Sequence, residues 1–139
     1  MGDLFTDFNW LAVLVGALGY FALGAIWYSF LFQKKWIAYN KINVDDPSMK
    51  KGVGAIMGMS FLLMFIQSLA IGILAARIDL DSCWLSGVKL GAITGGCFGA
   101  MAVGVNYLYE KKPFGLFLIN GGYALVGNII AAVIICVWR

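Results

Sequence analysis

The chain has 139 residues, 62% of them hydrophobic and 12% charged, with a mean hydropathy of +0.88, whereas a soluble domain carries roughly 25% charged residues. That balance excludes an ordinary soluble domain, and a net charge of +3 with seven of its eight lysines gathered in short links between apolar runs argues against a nucleic-acid surface. Without any histidine, and with no acid inside an apolar run, metal hydrolysis, Cys-His nucleophilic catalysis and carboxylate proton relays lack their usual parts.

A bilayer core about 30 Å thick takes on the order of 20 apolar residues per helical crossing. The first run that meets this length covers 10–32. Only Asp3 and Asp7 precede it as charges, and it ends in bulky WYSFLF, so it is expected to stay as a helix and not to be cleaved as a signal peptide. The link QKKWIAYNKINVDDPSMKKG leads to a second run at 53–76, with Gln67 near its middle. After RIDLDSC comes a third at 84–108, then YEKKP and a fourth at 114–138. The expected fold is therefore all-α, an integral membrane four-helix bundle forming a single domain over 1–139, with no cofactor.

Orientation follows from the lysines, because short basic loops are retained on the cytoplasmic side. Lys34, Lys35, Lys41, Lys50 and Lys51 lie in the first link and Lys111 and Lys112 in the third, against Arg77 and Arg139 on the other side. Both termini are thus expected to be extracytoplasmic, with Asp3, Asp7, Asp79 and Asp81 on the same side. Trp10, Trp36, Trp84 and Trp138 fall at the expected boundaries, where an indole keeps its ring apolar and its N–H wet. The first link, with Trp36, Ile37 and Tyr39 among its lysines, has the composition to lie on anionic lipid.

The third run contains GVKLGAITGGCFGAMAVG. Gly87, Gly91, Gly95 and Gly99 recur every four residues, as do Ala92, Gly96, Ala100 and Gly104, giving two adjacent rows of small side chains. Glycine costs an aqueous helix about 1 kcal/mol relative to alanine, but in lipid an unpaired amide costs more, so the segment stays helical. Close backbone approach to another helix offsets the cost. Two rows imply two close neighbours: one within the bundle, matched by Ala12, Gly16, Gly19 and Gly24 or by Gly121, Ala124, Gly127 and Ala131, and one that is either a third helix or a second copy in a homo-oligomer.

Polar groups inside the runs are few. Lys89 lies about 8 Å from the outer boundary at helical rise, within reach of headgroups or of Asp79 and Asp81 by snorkelling; intramembrane charge also marks candidate ligand or gating sites. Gln67 and Asn128 sit near mid-helix and are expected to pair. Asn120 and Tyr123 are one turn apart, and Asn106 with Tyr107 closes the third helix. These residues either bond between helices or line a polar pocket opening inward near Asn106, Asn120 and Tyr123. Cys97 is mid-helix, while Cys83 and Cys136 end neighbouring helices on one side, where a disulfide requires matching geometry.

NWLAVLVGALGYFALGAIWYSFLF followed by Trp36, and NYLYEKKP leading into FLINGGY, make nearly the whole chain resemble the small bacterial membrane proteins of the domain of unknown function 1761 family. The most specific parts are Gly24, Trp27 and Tyr28, the 106–113 turn, and Asn120 with Tyr123. The resemblance implies four transmembrane helices in a bacterial inner membrane and supplies no activity or substrate. In size and helix count the chain is also similar to small multidrug resistance exporters, but it lacks the acid in the first helix that exchanges protons for cationic substrate there. Two readings of function follow: a non-catalytic, homo-oligomeric assembly acting through helix or lipid contacts, and a small-solute transporter or channel lined by Gln67, Lys89, Asn106, Asn120, Tyr123 and Asn128.

Overall fold

A computed structural model describes residues 8–138. Asp3, Asp7 and Arg139, used above for orientation, lie outside the described residues. Four helices are long and apolar enough to cross a membrane: Trp10–Leu31 (α1), Val53–Arg77 (α3), Trp84–Tyr109 (α4) and Phe114–Val137 (α5), each bounded within one residue of its expected limits. The first link is more ordered than a simple connection, holding the short helix Gln33–Asn40 (α2) and one 3-10 turn at Pro47–Lys50. No strand occurs among the described residues.

Local chemistry sets the ends of these elements. Asn9 caps α1, its Oδ1 accepting from the Ala12 amide at 3.0 Å, while its Nδ2 donates to the Trp138 carbonyl at 2.6 Å. One side chain thereby satisfies a free amide at the start of α1 and a free carbonyl at the end of α5. Lys41 closes α2 in the left-handed region at φ 53°, its N–H bonded back to the Ala38 and Ile37 carbonyls. At the 3-10 turn the Asp46 carboxylate accepts from the Ser48 amide at 3.0 Å, which holds its carboxyl below the usual range. The Cys83 sulfur accepts from the Ser86 amide at 3.5 Å and lies 3.3 Å from the Ser86 hydroxyl. Hydrogen bonding to Ser86 likewise lowers the Cys83 thiol from its ordinary value. Cys136 is buried among core residues, and no disulfide joins it to Cys83.

α5 is the central helix. It packs along α4, α1 and α3, and α3 packs also on α1 but barely on α4. All four long helices converge at the end away from the lysine-rich links, around Val13, Ile71, Ala75, Leu90, Ala131, Ala132 and Ile135. At the lysine-rich end α3 parts from the others, and residues 53–59 are exposed throughout. Side-chain size explains the difference. Near the core the facing positions are Gly16, Gly87, Gly91, Ala131 and Ala132, which let backbones approach, while Gly72 of α3 makes room for the Phe8 and Val13 side chains. Toward the lysines they become aromatic, with Phe21 on Phe61 at 5.8 Å and Tyr28 on Tyr123 at 5.1 Å between ring centroids, and the helices are held apart. α2 folds back onto the start of α5, where the Tyr39 ring covers Gly115 so closely that a Cβ there would overlap its hydroxyl. The first and third links therefore share one end of the molecule.

Within the chain, the closest contacts of the α4 glycines are all with one neighbour. A Cβ on Gly87 would lie 2.5 Å from the Val133 Cα, one on Gly91 would overlap Ile129 Cα, and one on Gly95 would lie 2.7 Å from the Ala124 carbonyl oxygen. All three partners belong to α5. Farther along, Ala100 is buried beside Gly121, and a Cβ on Gly104 would meet the Phe117 ring at 3.0 Å, again on α5. The contact row on α4 is thus 87, 91, 95, 100 and 104, spaced four, four, five and four. The fifth residue is taken up where α4 turns π-helical over Ile93–Ala100, since each π turn takes in one residue more than an α turn. Below that segment the second row rotates into the seam that the first row occupies above it. Gly96 and Gly99 fall to one side, with no Cβ contact closer than 3.4 Å.

Candidate functional site

The parting of α3 from the bundle leaves two clefts. One, of about 580 Å³, lies between α3 and α4; the other, of about 630 Å³, lies between α1 and α3. Tyr28, Asn120 and Tyr123 line both, so the two are sides of one aromatic and amide partition. Each volume falls within the roughly 300–1,000 Å³ of small-molecule sites.

Asn120 is the centre of the partition. Its Oδ1 accepts from the Tyr28 hydroxyl at 2.6 Å and its Nδ2 donates to the Tyr107 hydroxyl at 2.5 Å. One amide therefore joins α1, α5 and α4. One turn on, the Tyr123 hydroxyl donates to the Tyr20 carbonyl at 3.3 Å and lies 3.7 Å from the Met64 sulfur. A Cβ on Gly24 would stand 2.8 Å from that hydroxyl, so glycine at 24 makes room for Tyr123 against α1. Deeper still, Asn128 is buried, donating to the Ala124 carbonyl at 2.7 Å and to the Tyr20 hydroxyl at 3.4 Å. The Tyr20 ring lies flush on Gly127, where any Cβ would overlap it.

Both π-helical segments border this region. At the end of α1, Trp27–Leu31 is π-helical, with the Phe32 amide reaching back five residues to the Trp27 carbonyl at 3.0 Å. That turn aims Trp27 at α5, where its indole N–H donates to the Ile119 carbonyl at 3.0 Å. In α4, near the start of the π segment, the Thr94 hydroxyl donates to the Leu90 carbonyl at 3.0 Å and the Gly91 carbonyl at 3.3 Å. Thr94 thus serves carbonyls at the point where the regular ladder changes step. π segments mark functional sites more often than chance.

Of the polar residues singled out from the sequence, Gln67, Asn120, Tyr123 and Asn128 come together on the cleft walls. The expected pairing of Gln67 with Asn128 does not form. Asn128 bonds within α5 and to Tyr20, and Gln67 stands exposed on the α3 wall, without a hydrogen bond among the described residues. Asn106 and Lys89 are exposed and line neither cleft. Tyr107, one residue from Asn106 and so about 100° around the helix, takes the inward place. Tyr20, Tyr28 and Thr94 were not singled out for the pocket. Their signal was the spacing of Tyr20, Gly24 and Tyr28 at steps of four, which places two hydroxyls and a gap on one face of α1.

With this geometry in place, the comparison with known families is specific. The family described as Protein of unknown function (DUF1761) matches residues 11–136. The chain belongs to that family. No curated protein and no solved structure matches it. The match spans all four long helices of the DUF1761 chain, so the partition around Asn120 lies wholly within the family's extent. Among the described residues, no Asp, Glu, Lys or Arg lines either cleft, and no group of three His, Cys, Asp or Glu stands close enough to hold a metal ion. What the site offers is aromatic faces, hydroxyls and amides.

Proposed function

We propose that this DUF1761 protein is a non-catalytic, multi-pass protein of the bacterial inner membrane that receives an uncharged, hydrogen-bonding amphiphile in the cleft between α3 and α4. The observation that carries this reading is the Gln67 amide, standing at membrane depth on the cleft wall without a partner among the described residues, on the same cleft as Thr94 and the hydroxyl-bearing partition. An unpartnered amide in hydrocarbon is costly, and a ligand headgroup supplies the missing bond. The uncharged walls disfavour a charged headgroup, which would be desolvated without a counterion.

The test uses a diazirine-bearing monoacylglycerol as probe, crosslinked to the full chain in phosphatidylcholine nanodiscs. Adducts are expected to concentrate on residues of the cleft and to disappear in Gly99→Leu, which fills the cleft where a Cβ meets nothing closer than 3.4 Å. Adducts spread evenly over the lipid-facing sides of all four helices, or unaltered in Gly99→Leu, would sink the idea.

Transport of a small solute is a second reading, and its support is the splayed end of α3, which leaves the partition reachable from the lysine-rich end. Flux of a neutral dye from proteoliposomes, abolished by the same Gly99→Leu, separates transport from binding alone. Gly87, Gly91, Gly95 and Gly104 close against α5 within the chain and so lend no support to homo-oligomerisation. The lysine-rich end is assigned to the cytoplasm, with both termini outside. In a Cys83→Ser background, a membrane-impermeant maleimide added to intact cells is expected to label Asp79→Cys and spare Lys41→Cys; labelling of position 41 alone reverses the assignment. Both positions are exposed.

A further inference from the structure

A third cavity, which shares no lining residue with the two clefts but borders the partition through Tyr107, opens between α4 and α5 at the lysine-rich end. It measures about 500 Å³. Its walls are mostly apolar side chains, among them Val105 and Leu108 of α4 and Phe117 of α5, with Gly104 and Tyr107 also in the lining. Val105 and Leu108 are three apart on one helical face, and Gly104 leaves the space that a side chain there would take from the Phe117 ring. Lys111 and Lys112 complete the lining. The turn that carries them puts Lys111 in the left-handed region at φ 54°, and the Lys112 amide bonds back to the Tyr107 carbonyl at 3.0 Å. Neither lysine is held in an ion pair among the described residues. Their neighbour Glu110 is exposed and is not part of the lining.

An apolar slot running along two membrane helices and ending in two unpaired cations at the boundary has the polarity of a phospholipid read from chain to headgroup. We propose that this groove seats one acyl chain of an anionic phospholipid, with its phosphate held by Lys111 and Lys112. Basic pockets between transmembrane helices recognise anionic headgroups in this way, and each lysine stem lies along apolar surface while its ammonium reaches the phosphate plane. Charge complementarity selects the occupant: a zwitterionic lipid fills the slot equally well but brings a choline that the two ammonium groups repel. A net charge of +3 with seven lysines at this one end would attract anionic lipid generally, so the proposal lies in the groove and not in the total charge.

Native mass spectrometry of the full chain in mild detergent, titrated with phosphatidylglycerol or phosphatidylcholine of the same chains, tests it. Wild type is expected to retain one phosphatidylglycerol in preference to phosphatidylcholine. The double substitution Lys111→Gln with Lys112→Gln lowers that preference by roughly 30-fold, about fivefold for each lysine. Val105→Trp, which narrows the slot from an exposed position and keeps both lysines, weakens retention of both lipids. Lys34→Gln with Lys35→Gln removes the same charge from α2, outside the groove lining, and leaves the preference in place. Equal retention of the two lipids by wild type, an equal loss in the α2 double variant, or unchanged retention in Val105→Trp overturns the assignment.

Discussion

Gly91→Leu is expected to separate α4 from α5 and to leave little folded protein, whereas Gly58→Leu, an equal change on another membrane helix, is expected to be silent. The contrast follows from what each new side chain meets. At Gly91 the first added carbon already overlaps Ile129 Cα and stands 2.7 Å from the Asn128 carbonyl oxygen, both rigid backbone atoms of the facing helix. No rotamer avoids a clash made by Cβ itself. Overpacking a tight core by a methyl or two costs about 1–3 kcal/mol. Here the helices must also part, and a gap of 0.5–1 Å forfeits roughly a quarter to a half of each dispersion contact along the seam. In lipid that dispersion is a principal attraction between the helices. At Gly58 nothing lies within 4 Å of the added carbon, because α3 has left the bundle there. Loss of helicity during titration with a denaturing detergent measures both variants. Equal stability of Gly91→Leu and wild type would show that α4 does not lie on α5 through its glycines, and the arrangement of the bundle would fall with it.

Asn120→Leu is expected to keep the helices but disrupt the site, lowering monoacylglycerol adducts on the order of tenfold, since a buried hydroxyl left without its partner costs about 1–3 kcal/mol. Two hydroxyls, Tyr28 and Tyr107, depend on this amide at 2.6 and 2.5 Å. Interhelical hydrogen bonds in membranes contribute about 0.6 kcal/mol each, so the loss to the fold is on the order of 1 kcal/mol. That is small beside the glycine seam. The effect on the partition is larger, since a freed Tyr28 ring turns toward whichever cleft offers its hydroxyl a partner. Tyr28→Phe breaks the first of the two bonds alone, and the double variant Tyr28→Phe with Asn120→Leu should lose little more than Asn120→Leu, because the two residues act through one contact. Fully additive losses in adduct yield would show that Tyr28 and Asn120 act independently.

The four long helices, their ends to within a residue, and the family are legible in the sequence alone. Those properties are local: a run of apolar residues long enough for a bilayer is helical whatever its neighbours, because hydrocarbon leaves a lone segment no other way to satisfy its amides. The sequence also determined that the α4 glycines contact protein, since only close approach offsets so many of them. It did not determine which helix they contact. That depends on rotation about the helix axis, and the π-helical turns of Ile93–Ala100 advance every later residue, so a register extrapolated at four residues per step separates Gly95 from Gly104 when the fold aligns them. The same limit explains why Tyr107 and not Asn106 reaches Asn120, and why Asn128 bonds Tyr20 and not Gln67. Tertiary structure alone decided that α3 parts from the bundle, because the clefts arise where aromatic side chains of different helices meet, and that is a property of pairs which no single segment carries.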